Sequence, residues 1–335
     1  MPYRQAATPV LVADQPPKQP PKQPHNQPPN QPPNQRANPA HTAMTPAQTL
    51  PALPAPRFAI VLGSGGVRSI AALGMVEVLM QHGLRPDLVV GCSAGAMFGA
   101  LIAAGHDAAE AVRIATTLWS PEVTRKRRTG AIAQMLWPRL GRFDAGFALR
   151  DDSLVMQRLA QAFGSVLIED LQLPLRVATT DAATGQRVVL RQGNLVQALR
   201  ASIALPFLFA PVRIAGRQLV DGVLTDPLPV SAAADAAAVL ALGFESPMPF
   251  RVDGPTRLLA QISSTMSNNL MQARLAEAGQ GGARIVSILP RLERRVGLFD
   301  TAAMPYLVDA GRRATEAALP GILALLNRAP QLAAA

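Results

Sequence analysis

The sequence predicts an α/β fold on a mainly parallel sheet, with helices packed against it. Three observations predict this. Short apolar runs end in glycine, stretches of helical periodicity follow them, and the alternation repeats through the first half of the body. Hydrophobic residues are 49% of 335, enough for a large core. Cys92 is the only cysteine, which excludes a disulfide scaffold and a Cys-rich metal site.

The first element is not part of the sheet. Residues 1–56 hold 16 of the 31 prolines, and a four-residue unit (Pro16-Pro17-Lys18-Gln19 and its variants) recurs five times through Gln35. Proline fixes φ and removes donors, and almost nothing here could pack a core. A disordered, polyproline-II-like leader is expected, followed by one folded body over 57–330. Met1 to Gln15 has no apolar stretch long enough for a secretory signal, and no run in the chain approaches a membrane span. Cytoplasmic residence is therefore expected, with a peripheral position at a membrane surface as its variant.

Within the body, Phe58-Ala59-Ile60-Val61-Leu62 reads as a buried strand. Ser69 to Gln81 has helical spacing, with Gly83 placed as a stop. Asp87 to Val90 is a second strand, and the small apolar stretch Ala94 to Ala104 is a buried helix. A helix is expected near Asp152 to Phe163. Strands at Leu175–Thr179 and Gln186–Leu190 are joined by a turn at Ala183-Thr184-Gly185. Further strands fall at Gln218–Val220, Ala237–Leu242 and Arg284–Leu289. Long helices are expected over Pro255–Gly279 and Thr301–Leu326. Residues 121–147 break the alternation. There Met135, Leu136, Trp137 and Phe143 stand beside the cluster Arg125-Lys126-Arg127-Arg128, a composition that suits a lid at a lipid–water interface or a core-closing segment with solvated arginines.

The net charge is +10, and 29 of the 32 cationic side chains are arginine. Such an excess suits an anionic partner without choosing one. Aromatics are only 4%, and no nucleic-acid-binding motif accompanies the charge, so no nucleic-acid partner is expected.

Three local features carry chemistry. Gly63-Ser64-Gly65-Gly66-Val67-Arg68 lies between a strand and a helix, where glycines let backbone amides converge on negative charge. A dinucleotide loop fits poorly: the glycine spacing fails at Ser69, and Glu77 lies inside the helix where a ribose-binding acid should follow. An oxyanion site fits better. Gly91-Cys92-Ser93-Ala94-Gly95 is a Gly-x-Ser-x-Gly between strand and helix, the setting of a nucleophile elbow. A serine nucleophile needs a base. The histidines are His25, His41, His82 and His106, so none follows residue 106 and a Ser-acid-His order cannot be built. His106 reads as a helix-end or loop residue rather than a base, so if Ser93 is a nucleophile a carboxylate is expected to activate it. Asp221-Gly222, at the end of a short strand, supplies a candidate that alone would read as an ordinary turn.

Together, in this order, the three features resemble the patatin-like phospholipase family, and its compact bacterial members most closely. The likeness extends to Ala178–Gly185, Ala201–Pro206 and Phe207–Val212, and covers roughly residues 57–300. It implies a three-layer fold with helices on both faces of the sheet. It implies a Ser93–Asp221 dyad, an oxyanion hole at Gly65 and Gly66 ordered by Arg68, and an elbow shaped by Gly91 and Gly95. It implies hydrolysis of fatty-acyl esters, with a lipid or acyl-ester substrate and neither metal nor organic cofactor; a peripheral contact with anionic membrane is the expectation that the basic charge adds. Ser64 and Ser69 stand where many members carry glycine, Val223 replaces a small residue, and Asp226 stands where Asn is common. Those departures keep a second expectation in play, a catalytically weak or silent lipid-binding protein on the same fold.

Overall fold

The computed structural model describes residues 56–120, 146–282 and 284–327, with isolated positions between 121 and 145. The leader up to Ala55 lies outside the described residues, as do Met135, Leu136, Trp137 and Phe143 of the expected lid. An eight-stranded sheet organises the rest. β1 is Phe58–Leu62, β2 Leu88–Cys92, β3 Leu175–Asp181 and β4 Arg187–Leu190. β5 is Val212–Ile214, β6 Arg217–Asp221, β7 Ala238–Leu242 and β8 Ile285–Ile288. Hydrogen-bonded pairing follows the path β5-β6-β3-β2-β1-β7-β8, and β4 also pairs with β3. Strands β3, β2, β1, β7 and β8 run parallel, and β4, β5 and β6 add antiparallel pairings.

The central strands are near-continuous apolar runs because both faces are covered. Along β1, Phe58, Ile60 and Leu62 enter one core, while Ala59 and Val61 enter the other. The larger core is closed by helices α1 (Ala71–Gln81), α2 (Ala94–Ala103), α3 (Ala108–Leu118), α4 (Ser153–Phe163), α5 (Leu195–Ser202) and α7 (Met304–Asn327). The smaller is closed by a turn at Val230–Ala233 and by Met271 and Leu275 of α6 (Pro255–Gln280). α1 and α7 cross closely at two glycines. A Cβ on Gly74 would lie 2.0 Å from the Val308 carbonyl oxygen, and one on Gly311 would lie 2.0 Å from that of Ala71.

The strands and helices named from sequence within the body are present, most with shifted ends. The first helix starts at Ala71 rather than Ser69, after a 3-10 turn at Gly66–Ile70. Tertiary contacts hold that turn: Val67 N–H donates to the Leu298 carbonyl and Ser69 Oγ to that of Gly63. α3, α5 and β5 had no expectation of their own. α3 and α5 are capped by Asp107 and Asn194, whose side chains accept from the Glu110 and Gln197 amides.

Candidate active site

Sheet register brings the site together. Ala178 of β3 faces Cys92 of β2 on one side and Val189 of β4 on the other. The next residue, Thr179, faces Val188 of β4 and Asp221 of β6. So β2 and β6 lie end to end along the same edge of β3, running toward each other. Their last residues, Cys92 and Asp221, meet at adjacent positions. Ser93, one residue beyond β2, is thereby delivered to Asp221 across 128 residues of sequence.

Ser93 has φ +56° and ψ −131°, a strained conformation for a residue with a Cβ. The surrounding glycines make it attainable. A Cβ on Gly91 would lie 2.3 Å from Ala96 Cα, and one on Gly95 would lie 2.4 and 2.5 Å from the Leu62 and Gly63 carbonyl oxygens. The elbow therefore sits directly against the start of the glycine loop. Ser202 of α5 holds it from the other side, with Oγ accepting from Ser93 N–H at 2.8 Å and donating to the Ala178 carbonyl at 2.7 Å.

Ser93 Oγ donates to Asp221 Oδ2 at 2.7 Å. Asp221 Oδ1 accepts from the Val223 amide at 2.9 Å and from the Cys92 thiol at 3.9 Å. The carboxyl group is fully buried, and burial raises its pKa to about 7 against the opposing pull of these donors. Burial and the neighbouring carboxylates push the Cys92 thiol well above its ordinary range, so it remains a donor. The main chain of Asp221 is fixed too: its amide donates to the Ala204 carbonyl, and Thr180 Oγ1 donates to its carbonyl oxygen.

In the glycine loop, the amides of Gly63, Ser64 and Val67 donate to Leu242, Pro227 and Leu298 carbonyls. Among the described residues nothing accepts from the amides of Gly65 or Gly66. Gly66 has φ +59°, and a Cβ there would lie 2.7 Å from the Leu298 carbonyl oxygen. Arg68 is buried and braces the loop, donating from Nε to the Gly65 carbonyl at 3.0 Å and from Nη1 to that of Glu245 at 2.7 Å. Desolvation lowers its pKa to about 10, so it stays charged at neutral pH.

Four residues had a signal in the sequence but no role assigned, or no signal at all. Ser202 and Thr180 lie in blocks quoted above, yet only the fold shows what they hold. Trp119 stacks on Phe299 and donates from Nε1 to the Leu298 carbonyl, fixing the segment that covers Gly66. Asp226 is buried and paired with Arg187 at 3.2 Å, a partner that an Asn there would not need. His106 lies in the loop before α3 and contacts Glu110 at 2.9 Å, away from Ser93. Of the family departures, Ser69 places its hydroxyl against Gly65, while Val223 contributes its amide rather than its side chain.

A cavity of about 420 Å³ opens beside the Asp221 strand, lined by Phe147, Pro206, Phe207, Phe209, Val220 and Leu224 among others. Among the described residues no three His, Cys, Asp or Glu side chains are grouped to hold a metal. No described helix is long and apolar enough to cross a membrane.

The chain resembles known proteins in sequence. It is 34% identical over 187 residues to an uncharacterized NTE family protein of Mycobacterium tuberculosis, covering 56% of this chain and 48% of that one. A second NTE family protein of that organism is 28% identical over 282 residues, covering 78% and 46%. Patatin-like phospholipase domain-containing protein 7 of Rattus norvegicus is 30% identical over 191 residues, covering 56% and 13%. The chain thus spans about half the length of the mycobacterial relatives and a small part of the rat protein. Among solved structures, VipD of Legionella pneumophila superposes with a TM-score of 0.45 at 17% identity, covering 82% of this chain and 67% of that one. The profile of the patatin-like phospholipase family matches residues 60–234, a span that contains the glycine loop, the Ser93 elbow and Asp221 and makes up more than half the chain. The chain belongs to the patatin-like phospholipase family.

Proposed function

We propose that this protein is a serine acyl hydrolase that cleaves fatty-acyl esters of phospholipids, lysophospholipids or related lipids by a Ser-Asp dyad. The 2.7 Å hydrogen bond from Ser93 Oγ to Asp221, made by a serine on a strained strand-to-helix turn, carries this reading. Asp221 takes the Ser93 proton as Oγ attacks the ester carbonyl. The amides of Gly65 and Gly66 receive the oxyanion. The ester C–O bond breaks and Asp221 returns the proton to the leaving alcohol. Water then attacks the acyl-enzyme and gives a proton to Asp221, which passes it to Ser93 as the fatty acid departs. The apolar cavity beside the Asp221 strand suits the acyl chain.

Fluorophosphonate labelling tests the assignment. The wild type should label and hydrolyse p-nitrophenyl esters, while Ser93→Ala should do neither and keep its circular dichroism. Wild-type labelling that persists in Ser93→Ala would sink the proposal. A folded wild type that neither labels nor turns over any ester would favour the lipid-binding reading.

A further inference from the structure

α6 buries only part of its length. Its last turns enter the smaller core through Met271 and Leu275, but its first three turns expose Leu258, Leu259, Ile262 and Met266. At about 100° per residue these four fall within an arc of roughly 100°, a single apolar stripe. The preceding loop extends it with Met248 and Phe250, the latter 83% exposed. That loop is tied to the helix: Ser264 Oγ donates to the Pro247 carbonyl and Asn268 Nδ2 to that of Ser246. Isolated exposed apolar residues need no explanation, but a contiguous set on one edge does.

Cations border the stripe. Arg295 lies over the Phe250 ring, 5.9 Å from its centroid, and Arg294 lies over Tyr306 at 5.0 Å. With Arg291 they line a cavity of about 540 Å³ that reaches Arg68 of the glycine loop. Among the described residues Arg251, Arg291, Arg294 and Arg295 make no ion pair. The carboxylates on this face are fewer: Asp253 is paired with Arg257, Glu245 accepts from Gln272, and Glu293 stands in the arginine segment. The cavity follows the carboxyl ends of β1, β7 and β8, the same end of the sheet from which Ser93 emerges after β2.

We propose that this face docks on an anionic phospholipid bilayer, the α6 stripe and Phe250 entering the acyl boundary while Arg291, Arg294 and Arg295 meet headgroup phosphates. Apolar insertion flanked by arginine is the chemistry of interfacial binding, and the surplus of cations selects an anionic surface over a second, equally basic copy of the chain. The docking extends the hydrolase reading to where its substrate lies, but its test does not depend on turnover.

The test is co-sedimentation of the full chain with vesicles of phosphatidylglycerol and phosphatidylcholine, beside vesicles of phosphatidylcholine alone. The wild type should partition at least tenfold better to the anionic vesicles at low salt. The triple variant Leu259→Ser/Ile262→Ser/Met266→Ser and the triple variant Arg291→Gln/Arg294→Gln/Arg295→Gln should each lose about tenfold or more. All chains retain the leader, so its lysines cancel in the comparison. Hydrolysis of water-soluble p-nitrophenyl butyrate should be unchanged in the apolar variant, which separates loss of docking from loss of chemistry. Equal partition of wild type and both variants would overturn the proposal. So would a wild-type dimer that dissociates in the apolar variant without any vesicle binding, since the stripe would then belong to a second copy.

Discussion

Asp221 receives a hydroxyl, an amide and a thiol, yet burial raises its pKa to about 7, because among the described residues no cation stands beside it to offset that burial. In the proposed mechanism this carboxylate must be ionised to act. The kcat/KM profile should therefore rise with pH through an acidic limb near 7, read by titrating ester hydrolysis from pH 5 to 9. A limb near 4 would contradict the buried state of the base. The same shift acts on stability. The folded pKa of about 7 exceeds the ordinary 3.8, so the folded chain binds more protons than the unfolded one between those values. Stability linked to Asp221 is thus fully present below pH 4 and lost as pH rises through 7. Asp221→Asn cannot take a proton, so activity should fall at least ~10²-fold, while stability at pH 8 should rise by roughly 1–3 kcal/mol. Denaturant melts at pH 8 and pH 4 check this, and the gain should shrink at the lower pH. His106→Ala should leave hydrolysis near wild type. Ser93 could be singled out from sequence because Gly-x-Ser-x-Gly is a local pattern, whereas Asp221, an ordinary Asp-Gly turn on its own, became a candidate only through the missing late histidine and the family resemblance of the three features in order. The pKa of about 7 could not be read there, since it arises from burial by residues scattered over the chain.

Whole elements meet the site where glycine lets backbones touch. Gly95 carries α2 against the carbonyls of Leu62 and Gly63 at distances no side chain allows. Gly95→Ala should cost about 3 kcal/mol or more and displace the elbow, read as a lowered denaturation midpoint with loss of fluorophosphonate labelling. Gly279 is the control. It lies near the end of α6 with nothing within 4 Å of a Cβ, so Gly279→Ala should be neutral or slightly stabilising. Most elements were legible because apolar periodicity and glycine stops are local. α1 begins two residues later than its periodicity suggests because Val67 and Ser69 satisfy their polar groups in tertiary contacts instead. What periodicity cannot encode is register. Cys92 opposite Ala178 and Asp221 opposite Thr179 set the distance between elbow and carboxylate, and both pairings join segments far apart in the chain.

At the scale of the molecule, alternation of strands and helices predicted a mainly parallel sheet, and five parallel strands form it. The antiparallel run of β6 against β3 carries no signal of its own, since Arg217–Asp221 is too short to show direction. The leader is a separate question, posed by composition: 16 prolines in 56 residues, and an apolar core that starts at Phe58. The Pro56 carbonyl accepts from Ala237 N–H at 2.9 Å, that of Arg57 from Ala238 at 3.0 Å, and Arg57 N–H donates to Asp87 Oδ2 at 3.0 Å. These bonds tie the entry of β1 to β7 and to the turn before β2. Deleting residues 1–52 should therefore leave the melting temperature within about 2 °C of wild type and ester hydrolysis unchanged. Deleting residues 1–57 should lower it clearly, because three bonds at the head of a central strand go with it. A large loss in the shorter deletion would show that the proline-rich segment is part of the folded body.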